Sequence, residues 1–192
     1  MPITPQLLLA GYCQGIFPMA DEGEVYWYDP DPRAILPLEA FHVSHSLQRV
    51  VKSGRFEIRT DTAFTQVMRE CAASAPGRET TWISEEFVTA YTSLHESKLA
   101  HSVEVWLNGE LVGGLYGVSL GGFFAGESMF HRERDASKVA LVHLVERMKR
   151  GGYILLDVQF MTPHLRRFGT IEIPRKAYKK LLAQALHGTA RW

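Results

Sequence analysis

The 192-residue chain lacks any apolar run approaching the ~20 residues that a membrane span needs, and its start shows neither the basic stretch nor the apolar core of a secretory leader. Two cysteines, Cys13 and Cys71, are too few for a disulfide framework and fit packing residues in a reducing cytoplasm. There is no Gly-rich Walker loop, no dinucleotide fingerprint and no cysteine pair at zinc spacing. His42-x-x-His45 and the scattered His95, His101, His131, His143 and His164 suit helix surfaces or core positions better than a ligand set, so no metal is expected. Ser128 lacks the nucleophile-elbow sequence, and a covalent nucleophile is not indicated. Internal repeats and low-complexity linkers are also missing.

What is there divides unevenly along the chain. The formal net charge is zero, yet residues 1–130 carry 8 Lys/Arg against 16 Asp/Glu, a balance of −8, and residues 131–192 carry 13 against 5, a balance of +8. Arg132, Arg134 and Lys138, then Arg147, Lys149 and Arg150, then Arg166, Arg167, Arg175, Lys176, Lys179 and Lys180 recur at short intervals. Any one cluster fits a solvated helix face; together they suit a polyanion such as RNA. With 46% hydrophobic and 22% charged residues, the length supports one well-filled core or a small domain on a larger one.

Thr4 and Pro5 open a helix that Gly15 and Pro18 stop. The next stretch holds Asp21, Glu22, Glu24, Tyr26, Trp27, Tyr28, Asp29, Pro30, Asp31, Pro32 and Arg33, and reads as a loop too Pro-rich for a regular element. Its aromatics either pack a small domain onto a larger one or stack a base. From Phe41 the pattern is α/β. A strand at Phe56-Glu57-Ile58 is followed by helices capped by Asp61 and Ser84, then by a hairpin about Asn108-Gly109 and a short strand ending at Glu127. A helix capped by Asp135 and ended by Gly151-Gly152 precedes the strand Tyr153 to Phe160. A short helix after Thr162-Pro163, the strand Ile171-Glu172-Ile173 and a helix opened by Pro174 complete the chain.

The segment from Phe123 to Phe160 carries the most telling residues. Asp157 and Gln159 interrupt an otherwise apolar strand, and alternation puts them on one face with Leu155, while Leu156, Val158 and Phe160 point the other way. A carboxylate so placed needs hydrogen bonds or a countercharge. The pair is either a satisfied structural feature or a polar couple facing a reactive centre. Glu127 meets it if the two strands are neighbours.

Nine motifs in order then carry a resemblance over nearly the whole chain. They are Gly15-Ile16-Phe17-Pro18-Met19, Trp27-Tyr28-Asp29-Pro30-Asp31-Pro32-Arg33, Thr81-Trp82-Ile83, His101-Ser102-Val103-Glu104-Val105-Trp106, Gly113-Gly114-Leu115-Tyr116-Gly117-Val118, Gly126-Glu127-Ser128-Met129-Phe130, Asp135-Ala136-Ser137-Lys138, Asp157-Val158-Gln159 and Glu172-Ile173-Pro174-Arg175. Together they closely resemble the leucyl/phenylalanyl-tRNA–protein transferases of bacteria. The resemblance implies an α+β fold with an acetyltransferase-like (GNAT) mixed sheet flanked by helices. A small, reduced N-terminal domain is expected over residues 1–40 and a catalytic domain over 41–192. It further implies transfer of leucine or phenylalanine, and methionine, from Leu-tRNA or Phe-tRNA to the α-amine of proteins beginning with Arg or Lys. The product is marked for degradation under the N-end rule. A cytoplasmic monomer needing no cofactor and no metal is expected.

The same resemblance assigns residues. Asp157, Gln159 and Glu127 are the catalytic candidates, with Asp157 orienting and polarising Gln159, whose amide oxygen accepts from the attacking amine. Glu127 and that pair also attract the acceptor's basic group. Leu115, Phe124, Met129 and Phe160 line an aminoacyl side-chain pocket, and Trp27, Tyr28 and Trp82 sandwich the terminal adenosine. Arg132, Arg134, Lys138, Arg147, Lys149 and Arg150 meet the tRNA backbone. Because the chain starts almost directly at the Thr4-Pro5 helix, the basic residues beyond Lys138 carry more of the docking, which predicts a steep loss of tRNA affinity with salt. Two other classes stay open. A coenzyme-A-dependent acyltransferase would need an Arg-x-x-Gly-x-Gly loop before the Asp135 helix, where none is found, and a tRNA-binding module has no use for Asp157 and Gln159 on one face.

Overall fold

The computed structural model describes residues 2–21, 23–74 and 81–192, so Glu22 of the aromatic stretch lies outside the described residues. Thr4 accepts from the Leu7 N–H and starts α1 (Pro5–Gln14). The stretch expected to be irregular is mostly regular instead. β1 (Phe17–Asp21) and β2 (Glu24–Tyr28) form an antiparallel ribbon, and β3 (Arg33–Ile35) follows. The prolines permit this because Pro30 and Pro32 fall between β2 and β3, where a missing N–H costs no ladder bond.

The chain continues through α2 (His45–Lys52), β4 (Glu57–Thr60), α3 (Phe64–Ala72), α4 (Glu85–Glu96), β5 (Ala100–Leu107), β6 (Glu110–Leu120) and β7 (Phe123–His131). It then forms α5 (Ala136–Gly151), β8 (Leu155–Gln159), α6 (Pro163–Arg166), β9 (Ile171–Ile173) and α7 (Arg175–Leu186). Seven strands make one sheet in the order β4-β5-β6-β7-β8-β3-β9. Every neighbouring pair is antiparallel except β7 and β8. The mixed sheet flanked by helices is thus the acetyltransferase-like arrangement, and β3 reaches into it between β8 and β9.

Alternation along the strands sends side chains to two cores. Leu155, Phe123 and Tyr116 join α1, α3, α4 and α7 on one face, whereas Leu156, Phe124 and Leu115 join α2 and α5 on the other. Two features break this regularity. The β6–β7 register shifts beside Tyr116/Gly117, so that Glu127 sits in a bulge within β7, not at a strand end as expected. A Cβ on Gly117 would stand 2.2 Å from the Ala125 carbonyl oxygen, so the bulge depends on glycine there. Second, the parallel pairing of β7 with β8 stops at Ala125↔Asp157, and a cleft opens between the strands beyond that point.

Two expected caps differ. Asp135 occupies the N-cap position of α5 but makes no cap bond, its carboxylate being held by Lys138 Nζ at 2.6 Å. Asp61 does not cap α3; it has φ +61 and accepts from Ser102 N at 2.9 Å and from His101 Nδ1 at 2.8 Å. The start of α3 is served by the fully buried Glu104, which accepts from Thr62 N at 2.9 Å, Ala63 N at 2.8 Å and Ser102 Oγ at 2.8 Å, and from the Thr62 hydroxyl. Carboxylates at helix N-termini are favoured by the dipole and the free N–H groups. Glu104→Ala leaves those donors unpaired, and urea denaturation is expected to show a loss of about 3 kcal/mol, with Glu104→Gln losing less.

Candidate active site

Asp157 is completely buried, and each of its oxygens accepts two hydrogen bonds. Oδ1 accepts from Arg33 Nε at 2.9 Å and from the Gln159 N–H at 2.9 Å; Oδ2 accepts from Arg33 Nη2 at 2.6 Å and from the Tyr178 hydroxyl at 2.8 Å. Arg33, itself 1% exposed, also donates to the Gly15 carbonyl at 3.1 Å and lies between the Phe17 and Tyr178 rings, 4.6 and 4.4 Å from their centroids. A bidentate guanidinium flanked by aromatic faces is the countercharge that the buried carboxylate requires. With its lone pairs taken, Asp157 grips the backbone of Gln159 and makes no bond to the Gln159 side chain, contrary to the expected polarisation of that amide.

That grip explains a backbone outlier. Gln159 has φ +66, a left-handed conformation unfavourable for a residue with a side chain. It ends the strand's alternation, so Phe160 does not point away from the Gln159 face as expected. Phe160 packs edge-on against Phe17 at 5.5 Å and Tyr28 at 6.4 Å. The Gln159 amide nitrogen donates to Glu127 Oε1 at 3.1 Å, and the Tyr91 hydroxyl donates to Oε2 at 3.3 Å. Tyr12 is bonded in turn to the Tyr91 hydroxyl. Burial pushes the Glu127 carboxyl up to about 7; the Asp157 charge adds to this, and the hydroxyl and amide donors oppose it.

Glu127 and Gln159 line the β7–β8 cleft, whose volume is about 270 Å³. Leu115, Met129, Leu141, Leu144, Leu156 and Val158 make its apolar wall, and Phe160 lies at its edge. Phe124, expected in this pocket, is absent from its lining: it is fully buried in the α5 core, stacked on Trp192 at 5.5 Å. Of the three aromatics expected to meet adenosine, Tyr28 stacks on Phe17 at 5.8 Å, Trp82 meets the edge of Phe87 at 5.5 Å, and Trp27 lies over Gly11, where a Cβ would come within 2.1 Å of its ring. All three remain partly exposed.

The expected basic residues do not form one patch. Lys138 and Lys149 stand near opposite ends of α5, roughly 16 Å apart along the helix axis. Arg132 is held by Glu70 at 2.6 Å, and Arg147 lies 5.0 Å over the Trp192 ring. Arg134 and Lys138 instead join Arg49, Arg55 and Arg167 around a groove of about 780 Å³, and His164 borders both this groove and the apolar cleft. Burial and the neighbouring Lys138 and Arg167 charges lower the His164 pKa. Asp61, His95 and His101 form a group with ligand-like spacing, but His95 Nδ1 is bonded to the Ala100 carbonyl at 2.9 Å and His101 Nδ1 to Asp61. That group ties β4, α4 and β5 together.

A mixed sheet splayed at its parallel pair, with an apolar cleft and an ionisable carboxylate in its lining, defines an acyltransferase framework. The sequence comparisons narrow the class. Residues 35–183 match the leucyl/phenylalanyl-tRNA protein transferase family, and residues 1–31 match that family's N-terminal domain. A leucyl/phenylalanyl-tRNA–protein transferase of Herpetosiphon aurantiacus is 61% identical over 189 residues, covering 98% of this chain and 97% of that protein. One of Paramagnetospirillum magneticum is 57% identical over 192 residues, covering 98% and 92%. The chain belongs to the leucyl/phenylalanyl-tRNA protein transferase family. Among solved structures, L-PGS from Bacillus licheniformis is similar at a TM-score of 0.45 and 14% identity, over 79% of this chain and 51% of that one.

Tyr12, Arg33, Tyr91 and Tyr178 were not singled out by sequence reasoning. For Arg33 a signal existed: it opens the apolar run Ala34-Ile35-Leu36, just where a buried Asp157 needs a partner. Arg33→Met should destabilise the fold by about 3 to 5 kcal/mol through the unpaired carboxylate, and adding Asp157→Asn should restore part of the loss, as read by chemical denaturation.

Proposed function

We infer that the protein transfers leucine or phenylalanine from a charged tRNA to the α-amine of an acceptor protein. The observation that carries this reading is the apolar β7–β8 cleft with Glu127 and Gln159 in its lining, in a chain of this family. The cleft takes the aminoacyl side chain. An apolar wall separates substrates by only about 1 to 3 kcal/mol per methylene, which suits acceptance of Leu, Phe and Met. Trp27, Tyr28 and Trp82 stack the terminal adenosine, and the groove around Arg49, Arg55, Arg134 and Arg167 receives phosphates. The acceptor begins with Arg or Lys, whose charge is drawn to Glu127 in the cleft, and the product is a degradation signal. The enzyme acts as a monomer in the cytoplasm.

An aminoacyl ester is already activated, so the site has to hold the amine, remove its proton and exclude competing water. With its nitrogen on Glu127, the Gln159 amide leaves its oxygen to accept from the incoming amine. As the N–C bond forms, the amine proton passes to Glu127; as the C–O bond breaks, Glu127 returns that proton to the ribose oxygen, so none is consumed and the carboxylate is regenerated. A carboxylate whose pKa lies near the working pH suits this exchange.

Radiolabelled leucine and phenylalanine on tRNA, offered to peptides starting with Arg, Lys or Ala, should label the first two only; labelling of none, or of all three alike, would overturn the reading. Below pH 7 log kcat/KM should rise with a slope of two, since both the amine and Glu127 must lose a proton. In Glu127→Gln the slope should fall to one and the rate by about 100-fold or more. For the groove, Arg134→Ala should weaken tRNA binding and reduce the slope of log K against log salt by about one.

A further inference from the structure

Glu127 is buried, and among the described residues no cation is hydrogen-bonded or ion-paired to it. The Tyr91 hydroxyl and the Gln159 amide donate to it, and the Tyr12 hydroxyl lies close enough to favour its charge as well. The groups facing it are Tyr12 from α1, Tyr91 from α4, Tyr116 from β6, and Asp157 and Gln159 from β8. Arg33, from β3, is spent on Asp157, Tyr178 and Gly15.

The two phenols form a directed chain. Tyr91 gives its proton to Glu127, so the Tyr12 hydroxyl is the donor in the Tyr12–Tyr91 bond, and successive bonds of this kind polarise one another. Both rings are completely packed: Tyr91 stacks on Phe87 at 6.1 Å and meets the edge of Tyr116 at 5.8 Å. Burial raises both phenol pKa values well above normal, so both keep their protons. Stability alone gives no reason for this pair. Two phenylalanines would fill the same space without burying hydroxyls whose chain leads only to a carboxylate.

We propose that Tyr12 and Tyr91 are positioning residues of the transfer reaction, which hold Glu127 ionised and aimed at the cleft so that it can take the amine proton. The proposal rests on the reading of Glu127 as the proton acceptor. It also gives helix α1 a direct part in the chemistry.

The test follows kcat/KM for an Arg-starting peptide against pH, with an aminoacyl-adenosine donor so that tRNA docking plays no part. The peptide amine is titrated separately, and its ionisation is common to all variants. Tyr91→Phe and Tyr12→Phe should each move the Glu127 limb upward by about half to one pH unit, with the plateau above pH 9 reduced far less than in Glu127→Gln. Incorporating 3,5-difluorotyrosine at position 91, a stronger donor, should move the limb downward, a shift that no folding defect would produce. A limb that stays in place in all three, yet vanishes in Glu127→Gln, overturns the proposal and leaves Glu127 as the base. A limb that survives Glu127→Gln overturns that reading of Glu127, and the proposal with it.

Discussion

The structure depends on one ion pair. Arg33 and Asp157 are both 1% exposed in their side chains, 2.6 Å apart, and each would be prohibitively costly to bury alone. Their union fixes three things together. It holds β3 beside β8, it brings the Gly15 end of α1 onto the sheet, and through Asp157 Oδ1 it keeps Gln159 in its left-handed conformation. The N-terminal segment is therefore part of the site's foundation and does more than cover it.

From that anchor the cleft follows by strand geometry. Parallel pairing of β7 with β8 lasts three residues, the bulge turns Glu127 toward the opening, and the outlier at Gln159 turns its amide onto Glu127. Two carboxylates thus lie close together in very different settings. Asp157 has a guanidinium and a full set of donors, whereas among the described residues Glu127 has neutral donors, and its carboxyl is pushed up to about 7. Differences of this kind separate a structural carboxylate from one that exchanges protons.

The element order from β4 onward, the caps at Thr4 and Ser84 and the meeting of Glu127, Asp157 and Gln159 could be read from periodicity and motif, because those signals are local. Long-range compensation could not. The true cap of α3 is Glu104, more than forty residues away in sequence, so the nearer Asp61 was the natural choice. The resemblance placed Phe124 in the pocket; it shares the α5 core with Leu115, Leu141, Leu144 and Leu156 of the cleft wall, but its ring is taken up by Trp192 and does not reach the cleft. The ribbon of β1 and β2 was hidden by Pro18, which sits within β1 of this two-stranded sheet, and by Pro30 and Pro32, which lie beyond the end of β2. Arg49 and Arg55 were missed because they sit in the acidic part of the chain; only folding carries them to Arg134 and Arg167.

The 124-residue separation of Arg33 from Asp157 bears on how the molecule is made. At about 5 to 20 residues per second, synthesis leaves roughly 6 to 25 s between the emergence of the arginine and that of its carboxylate. Throughout that interval the guanidinium has no anion to accompany it into the interior, so the segment around it stays in water, whatever the helix ahead of it has done. The amino-terminal elements are the first to leave the ribosome and among the last to reach their final place.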